Sequence, residues 1–245
     1  MPYTTVASGD LLTAAIWNTN VRDQVVTTAT TALRPSGTEG QVVYDTDTNQ
    51  LLVYNGTAWV IPNSPAQNPQ GLELITTCTA TSTDGTSATA TGGITTIGTG
   101  NTSVTVSSAF SATYDNYKIV ANGGTTTHQT SISLALGSSV NTYYGAYIYA
   151  SYATGTVLGA TINNQSNFIY AGGADIAEIN LNIELQNPFQ AKFTTIQALS
   201  VGYANNRGTA VGEHETASSF SAFTLAPFTG TLTGGTIRVY GYRNS

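Results

Sequence analysis

Chemistry in this chain would have to come from a few close groupings of polar side chains. Asp45-Thr46-Asp47-Thr48-Asn49 has the alternating oxygen ligands that open a calcium loop of the EF-hand kind. Such a loop also needs Gly at its sixth position and a bidentate Glu at its twelfth. Gln50 and Gly56 stand there instead, so the EF-hand is rejected. The run reads as an Asx-rich turn whose side chains hydrogen-bond their own backbone. Glu213-His214-Glu215 is the close grouping of histidine and carboxylates, with His128 remote in sequence. A metal site needs further ligands at compatible geometry, so a solvated loop beside Gly208 and Gly212 is expected. Glycosidases hold two acids about 5–9 Å apart across a cleft. Near strands only Asp175 with Glu178, or Glu178 with Glu184, offer such a pair. At a strand rise of about 3.3 Å per residue, Glu178 and Glu184 would stand roughly 20 Å apart on one face. No G-x-S-x-G elbow occurs, and no Cys/His pair has a suggestive context. No catalytic residue, no metal and no cofactor are expected, and the chain is read as a non-enzyme.

The other chemistry-bearing cluster is aromatic: Tyr143, Tyr144, Tyr147, Tyr149 and Tyr152 are separated mainly by small residues. Tyrosine offers a flat apolar face and a polar tip, which suits sugar stacking and protein contacts. These five are the receptor-contact candidates. The competing reading is a strand packed against its own sheets or against sister chains. Cys78 is the single cysteine. It excludes an intrachain disulfide and reads as a small, buried or half-buried residue.

Composition narrows the function classes. Charged residues make up 8% of the chain, against roughly 25% in typical soluble domains. Thr, Ser, Asn, Gln and Gly must supply most of the polar surface. The net charge of −6 comes without a basic cluster. Nucleic acid is therefore disfavoured as a partner, since phosphate binding rests on basic groups that release counterions. Anionic membrane surfaces are disfavoured for the same reason. No segment approaches the roughly 20 apolar residues that span a bilayer, so no membrane insertion is expected. The start MPYTTVASGD lacks the features of a secretory signal. Release by lysis, within an assembled particle, is the expected route outside the cell.

The elements that must position these residues divide into four stretches. Residues 1–35 form an attachment region with a short helix: Thr13 is a plausible N-cap, and Trp17, Val21 and Val25 make an apolar stripe at i, i+4, i+8. Residues 36–61 form a small β meander, with strands at Gln41–Tyr44, Gln50–Tyr54 and Ala58–Val60. Asn55-Gly56 is a hairpin signal of the type I′ kind. Trp17, Val21, Val25 and Trp59 have too little chain to cover them, which makes them candidates for particle anchoring or a trimer core. Residues 62–75 are a Pro/Asn-rich linker. Residues 76–245 form the head. Its first part, Thr76 to Gly100, is low in complexity, and such small side chains specify register poorly. Beyond it, alternation is clear at Val104/Val106, Tyr117/Ile119/Ala121, Ile132/Leu134/Leu136, Ile179/Leu181/Ile183/Leu185 and Ile237/Val239. Several strands with polar turns point to an antiparallel β-sandwich, jelly-roll-like. The fold class is mainly β.

Three segments carry a resemblance. Ser8-Gly9-Asp10-Leu11-Leu12-Thr13-Ala14-Ala15-Ile16-Trp17-Asn18-Thr19-Asn20-Val21-Arg22-Asp23 resembles the N-terminal attachment segment of many phage virion proteins. Gly40 to Trp59 is similar to a small β element of phage tail fibres. The ending Gly230-Thr231-Leu232-Thr233-Gly234-Gly235-Thr236-Ile237-Arg238-Val239-Tyr240-Gly241-Tyr242-Arg243 is similar to the last strand of jelly-roll heads on phage fibres and spikes. The resemblance implies a bacteriophage tail-fibre, head-fibre or spike protein on the virion surface. It implies a homotrimer held to other virion proteins by its N-terminus and attaching to a host glycan or protein. The rival readings are a head-decorating or particle-stabilising protein with no receptor role, and a polysaccharide-degrading tail spike.

Overall fold

The computed structural model describes residues 26–62, 71–201 and 206–243. The expected helix with Trp17, Val21 and Val25 lies outside them, as does linker segment 63–70. The chain divides into two compact units, residues 1–70 and 71–245.

In the first unit, β1 (Thr27–Ala29), β2 (Val42–Asp45), β3 (Gln50–Tyr54) and β4 (Trp59–Val60) form a sheet in that order. The meander is antiparallel, and β1 adds a parallel strand against β2. The sequence did not announce β1, because three residues carry too little alternation to read. The Asn55-Gly56 turn also departs from expectation. Gly56 has φ +92° while Asn55 is not among the positive-φ residues, so it is no type I′ turn. The Asn55 side-chain oxygen instead accepts hydrogen bonds from the backbone N–H of Thr57 (3.0 Å) and Ala58 (2.8 Å). An Asx-type cap thus does the work of a second left-handed residue.

The second unit contains β5 (Leu72–Leu74), β6 (Thr79–Thr83), β7 (Thr89–Thr91), β8 (Ile94–Thr96), β9 (Thr99–Asn101), β10 (Ser103–Ser107), β11 (Tyr114–Asn122), β12 (Thr125–Thr126) and β13 (Thr130–Leu136). It continues with β14 (Tyr143–Ser151), β15 (Val157–Gln165), β16 (Phe168–Ala174), β17 (Ile179–Gln186), β18 (Thr194–Val201), β19 (Asn206–His214), β20 (Phe223–Pro227), β21 (Leu232–Thr233) and β22 (Thr236–Arg243). A wide antiparallel sheet runs β15-β14-β19-β18-β17-β11-β22, with β5 and β8 both on β22 and β7 on β8. A narrower one runs β16-β13-β20-β10-β6. They join through the β16–β17 hairpin, where Gly173 pairs with Asn180 and Ala174 with Ile179. A small sheet β12-β21-β9 is paired separately and adds Leu232 to the core.

Side chains from the two sheets meet in one core. Tyr143 of β14 packs edge-on against Phe168 of β16 at 4.8 Å, and Phe110 touches both Tyr117 of β11 and Phe223 of β20. The alternation dictates this. In β17, Ile179, Leu181, Ile183 and Leu185 are buried while Asn180, Asn182 and Gln186 are exposed. Full burial of an aliphatic side chain contributes about 1.5–3 kcal/mol. The low-complexity stretch is ordered into β6, β7 and β8. Its register is fixed by hydrogen bonds: Ser82 Oγ accepts from the Ala88 N–H at 3.0 Å, and Asn101 Nδ2 donates to the Asp84 and Thr86 carbonyls.

Register also sorts the ends of this unit. Leu72 pairs with Tyr242 and Tyr114 with Arg243, so the chain enters beside its own C-terminal strand. At the opposite, distal end lie Asn122 with Thr236, Val201 with Arg207, and Ser151 with Asn206.

Candidate functional site

The tyrosine-rich segment is strand β14, and strand parity splits it. Tyr143 and Tyr147 are buried in the core, Tyr144 and Tyr149 are half-buried, and Tyr152 just past the strand is 66% exposed. The Tyr143 hydroxyl accepts the Leu136 N–H at 2.7 Å. Burial pushes its phenol pKa up, with that N–H acting the other way. Tyr147 is stacked between Tyr149 (4.7 Å) and Tyr170 of β16 (4.8 Å). Burial raises its pKa as well. The expectation of one five-membered contact surface is therefore corrected: Tyr143 and Tyr147 are core residues.

Two glycines of β19 make room for these rings. A Cβ on Gly208 would collide with the Ile148 carbonyl oxygen and come within 2.7 Å of both the Tyr147 ring and Tyr149 Cβ. One on Gly212 would collide with the Tyr144 carbonyl oxygen and press on the Phe168 ring at 3.2 Å. The glycines read as loop formers are thus the floor on which aromatic rings lie.

Glu213-His214-Glu215 is not a solvated loop. His214 ends β19 fully buried, edge-on to Tyr143 (4.5 Å) and Phe220 (5.2 Å). Its Nε2 lies 2.6 Å from Ser139 Oγ. Burial pushes its pKa down, partly offset by the Thr216 backbone. The signal for burial was the strand parity shared with Ala210.

In the Asx-rich turn, Asp45 is held by its own surroundings. Its fully buried carboxylate accepts from Arg34 Nε (2.6 Å), the Thr31 hydroxyl, and the backbone N–H groups of Asp47 and Thr48 (3.0 Å each). Burial alone would raise its pKa. The Thr48 N–H and the Arg34 guanidinium outweigh it and hold the carboxyl well below the usual range. A carboxylate so occupied is a structural pin. Among the described residues no group of three or more His, Cys, Asp or Glu is placed to hold a metal ion. Trp59 is half-buried, edge-on to Tyr54 at 5.4 Å, and donates to the Pro35 carbonyl at 3.3 Å.

The carboxylates weighed for glycoside chemistry have structural partners. Glu184 takes Lys118 Nζ at 2.6 Å and the Tyr242 hydroxyl at 2.6 Å. Burial and then Glu184 push the Tyr242 phenol up to about 12. Asp175 accepts from Gln129 Nε2 at 2.7 Å, and Glu178 from Asn180 Nδ2 at 2.8 Å. Cys78 is buried, and burial raises its thiol pKa to about 11, leaving it protonated and inert at neutral pH.

What sequence reasoning missed is the outward face of the wide sheet. Ile148 (64% exposed), Val211 (50%) and Leu199 (47%) project from it, and Val157 (68%) stands at its edge. Shallow depressions open on it, one of about 310 Å³ beside Tyr144, Ala146, Thr195 and Val211, another of about 270 Å³ beside Lys118, Val120, Asn180 and Leu199. No helix among the described residues is long and apolar enough to cross a membrane. No protein-family model, curated protein or solved structure matches this chain.

Proposed function

We propose that this chain is a structural protein of a bacteriophage virion, a trimeric fibre or spike anchored by its N-terminal region. Residues from Gly71 onward form a jelly-roll-like β-sandwich head for host-surface attachment. The strand order supports the head. In chain order β8, β10, β11, β13, β16, β17, β20 and β22 divide as β8-β22-β11-β17 in one sheet and β10-β20-β13-β16 in the other. That alternation is the wrapping of an eight-stranded jelly roll. The observation that carries assembly is the outward face of the wide sheet. The head has a complete core of its own, yet Leu199 and Val211 remain exposed on that face. Apolar groups gathered on one surface mark a contact site, and copies arranged about an axis bury such faces. The sparse charge fits a head that works by short-range contact and by multivalency, not by long-range steering.

Light scattering of the full-length chain at micromolar concentration is expected to give three chain masses. Leu199→Asp with Val211→Asp should lower that mass while far-UV circular dichroism stays β. A wild-type monomer overturns the trimer. A cryo-EM map of the particle should show the head projecting, and the purified protein should block adsorption. A head seated flat on the shell, with no effect on adsorption, would favour the decorating protein instead.

A further inference from the structure

We propose that the distal outward corner of the wide sheet, formed by Ile148, Tyr152, Val157 and Arg207 around Ala150, binds a carboxylate-bearing saccharide. This rests on the attachment reading above and gives it a ligand class. The register builds the corner. Ala150 of β14 pairs with Val157 of β15 on one side and with Arg207 of β19 on the other. Ile148 lies two residues before Ala150 on the same face of β14, and Tyr152, just past the strand, meets Arg207. A small side chain is thus ringed by four larger ones, three of them exposed apolar or aromatic groups at 64%, 66% and 68%. Beside Ile148 the paired position is Gly159, where an added Cβ would meet only the Tyr147 carbonyl oxygen at 3.8 Å. The floor there is open.

The chemistry of the rim selects the ligand. The Arg207 guanidinium carbon lies 5.2 Å from the centre of the Tyr152 ring, a cation–π contact that orients the fork without using its donors. One N–H donates to the Asn206 carbonyl at 2.8 Å. Among the described residues no carboxylate pairs with Arg207. Arg34, Lys118 and Arg243 do have carboxylate partners, and Arg238 donates to Asn122 and Thr236. In a chain of net charge −6, an exposed guanidinium held by an aromatic ring is a poised anion receptor. A planar fork matches a carboxylate in two-point geometry. Tyr152, Val157 and Ile148 offer the apolar face that sugar C–H groups stack on. A uronate or sialate unit carries both features. By register the corner lies at the end of the wide sheet opposite Leu72, beside the β14–β15 turn.

The test is a titration of the full-length chain with an oligomannuronate and with sialyllactose, followed by saturation-transfer NMR, with neutral manno-oligosaccharide as control. Binding of at least one acidic probe, with transfer from tyrosine ring protons, is expected. Tyr152→Ala and Arg207→Gln, both at exposed positions, should each weaken it about tenfold, the effect of one charge-assisted contact. No binding of either acidic probe overturns the site. So does binding of the neutral control equally well, indifference to both substitutions, or equal binding of a polyglutamate peptide. Adsorption competition separates this from the broader reading. If wild-type and doubly substituted protein block adsorption equally, attachment stands and the corner falls. If wild-type protein blocks nothing, attachment falls and the titration still decides the corner.

Discussion

His214 shows how much a single side chain can hide. Its neighbours Glu213 and Glu215 are charged, and in sequence the triplet looks wet. In the fold it is enclosed by Tyr143 and Phe220 and tied to Ser139 in the β13–β14 connection. Burial favours the neutral imidazole and depresses the folded-state pKa below the ordinary value of 6.5. The unfolded chain then binds the proton more readily, so stability falls as pH drops below 6.5 and levels off only below the folded pKa. His214→Gln should flatten that slope. Thermal melting of both proteins between pH 7.5 and 5 checks it, and parallel losses in the two would remove His214 as the cause. At this scale the sequence is readable for residue type but not for direction. The five tyrosines of the β14 segment look alike, yet one step along a strand reverses the face, and the turn preceding Tyr143 sets the phase. Burial takes Tyr143 and Tyr147 into the core, leaves Tyr144 and Tyr149 half-covered, and leaves Tyr152, beyond the strand, exposed.

At the scale of elements, alternation was legible wherever side chains were large. β11, β17 and β22 bury the residues their period-two pattern names, because large apolar groups alternate there with polar or amphipathic ones, whereas β13 is buried on both faces, Ser131 and Ser133 included. β6 to β9 were not legible, since Thr, Ser, Ala and Gly fit either face and their order comes from specific hydrogen bonds and from pairing of β8 with β22 and β9 with β21. β19 was missed for a different reason. Glycine weakens an isolated strand, so Gly208 and Gly212 read as loop. In the assembled sheet they are what the rings of β14 and β16 require. Gly208→Ala should therefore cost about 1–3 kcal/mol, as overpacking does. Gly159→Ala, with open space above it, should change stability by less than about 0.5 kcal/mol. Chemical denaturation of both variants checks the contrast. Equal effects would mean that the tyrosine stack does not depend on the missing side chain.

At the scale of the molecule, the buried core of the second unit is drawn from Cys78 to Val239, and β22 closes it. That last strand pairs with β11, β5 and β8 at once and buries Ile237 and Val239. The strand nearest the C-terminus is thus needed by the strands nearest Gly71, a long-range closure of the kind that slows folding. This unit has to wait for β22 before its wide sheet is complete. A fragment covering residues 71–245 carries every strand of this unit and should fold alone, with a β-type circular dichroism spectrum and one cooperative melting transition. A fragment ending at Gly235 lacks β22 and leaves Ile119, Ala121 and the β5 and β8 strands without their partner. It should stay unfolded or aggregate through the uncovered edge of β11. A folded 71–235 fragment would show that the two-sheet core does not depend on closure by β22. An unfolded 71–245 fragment would show that the head needs either the first unit or sister chains to stand.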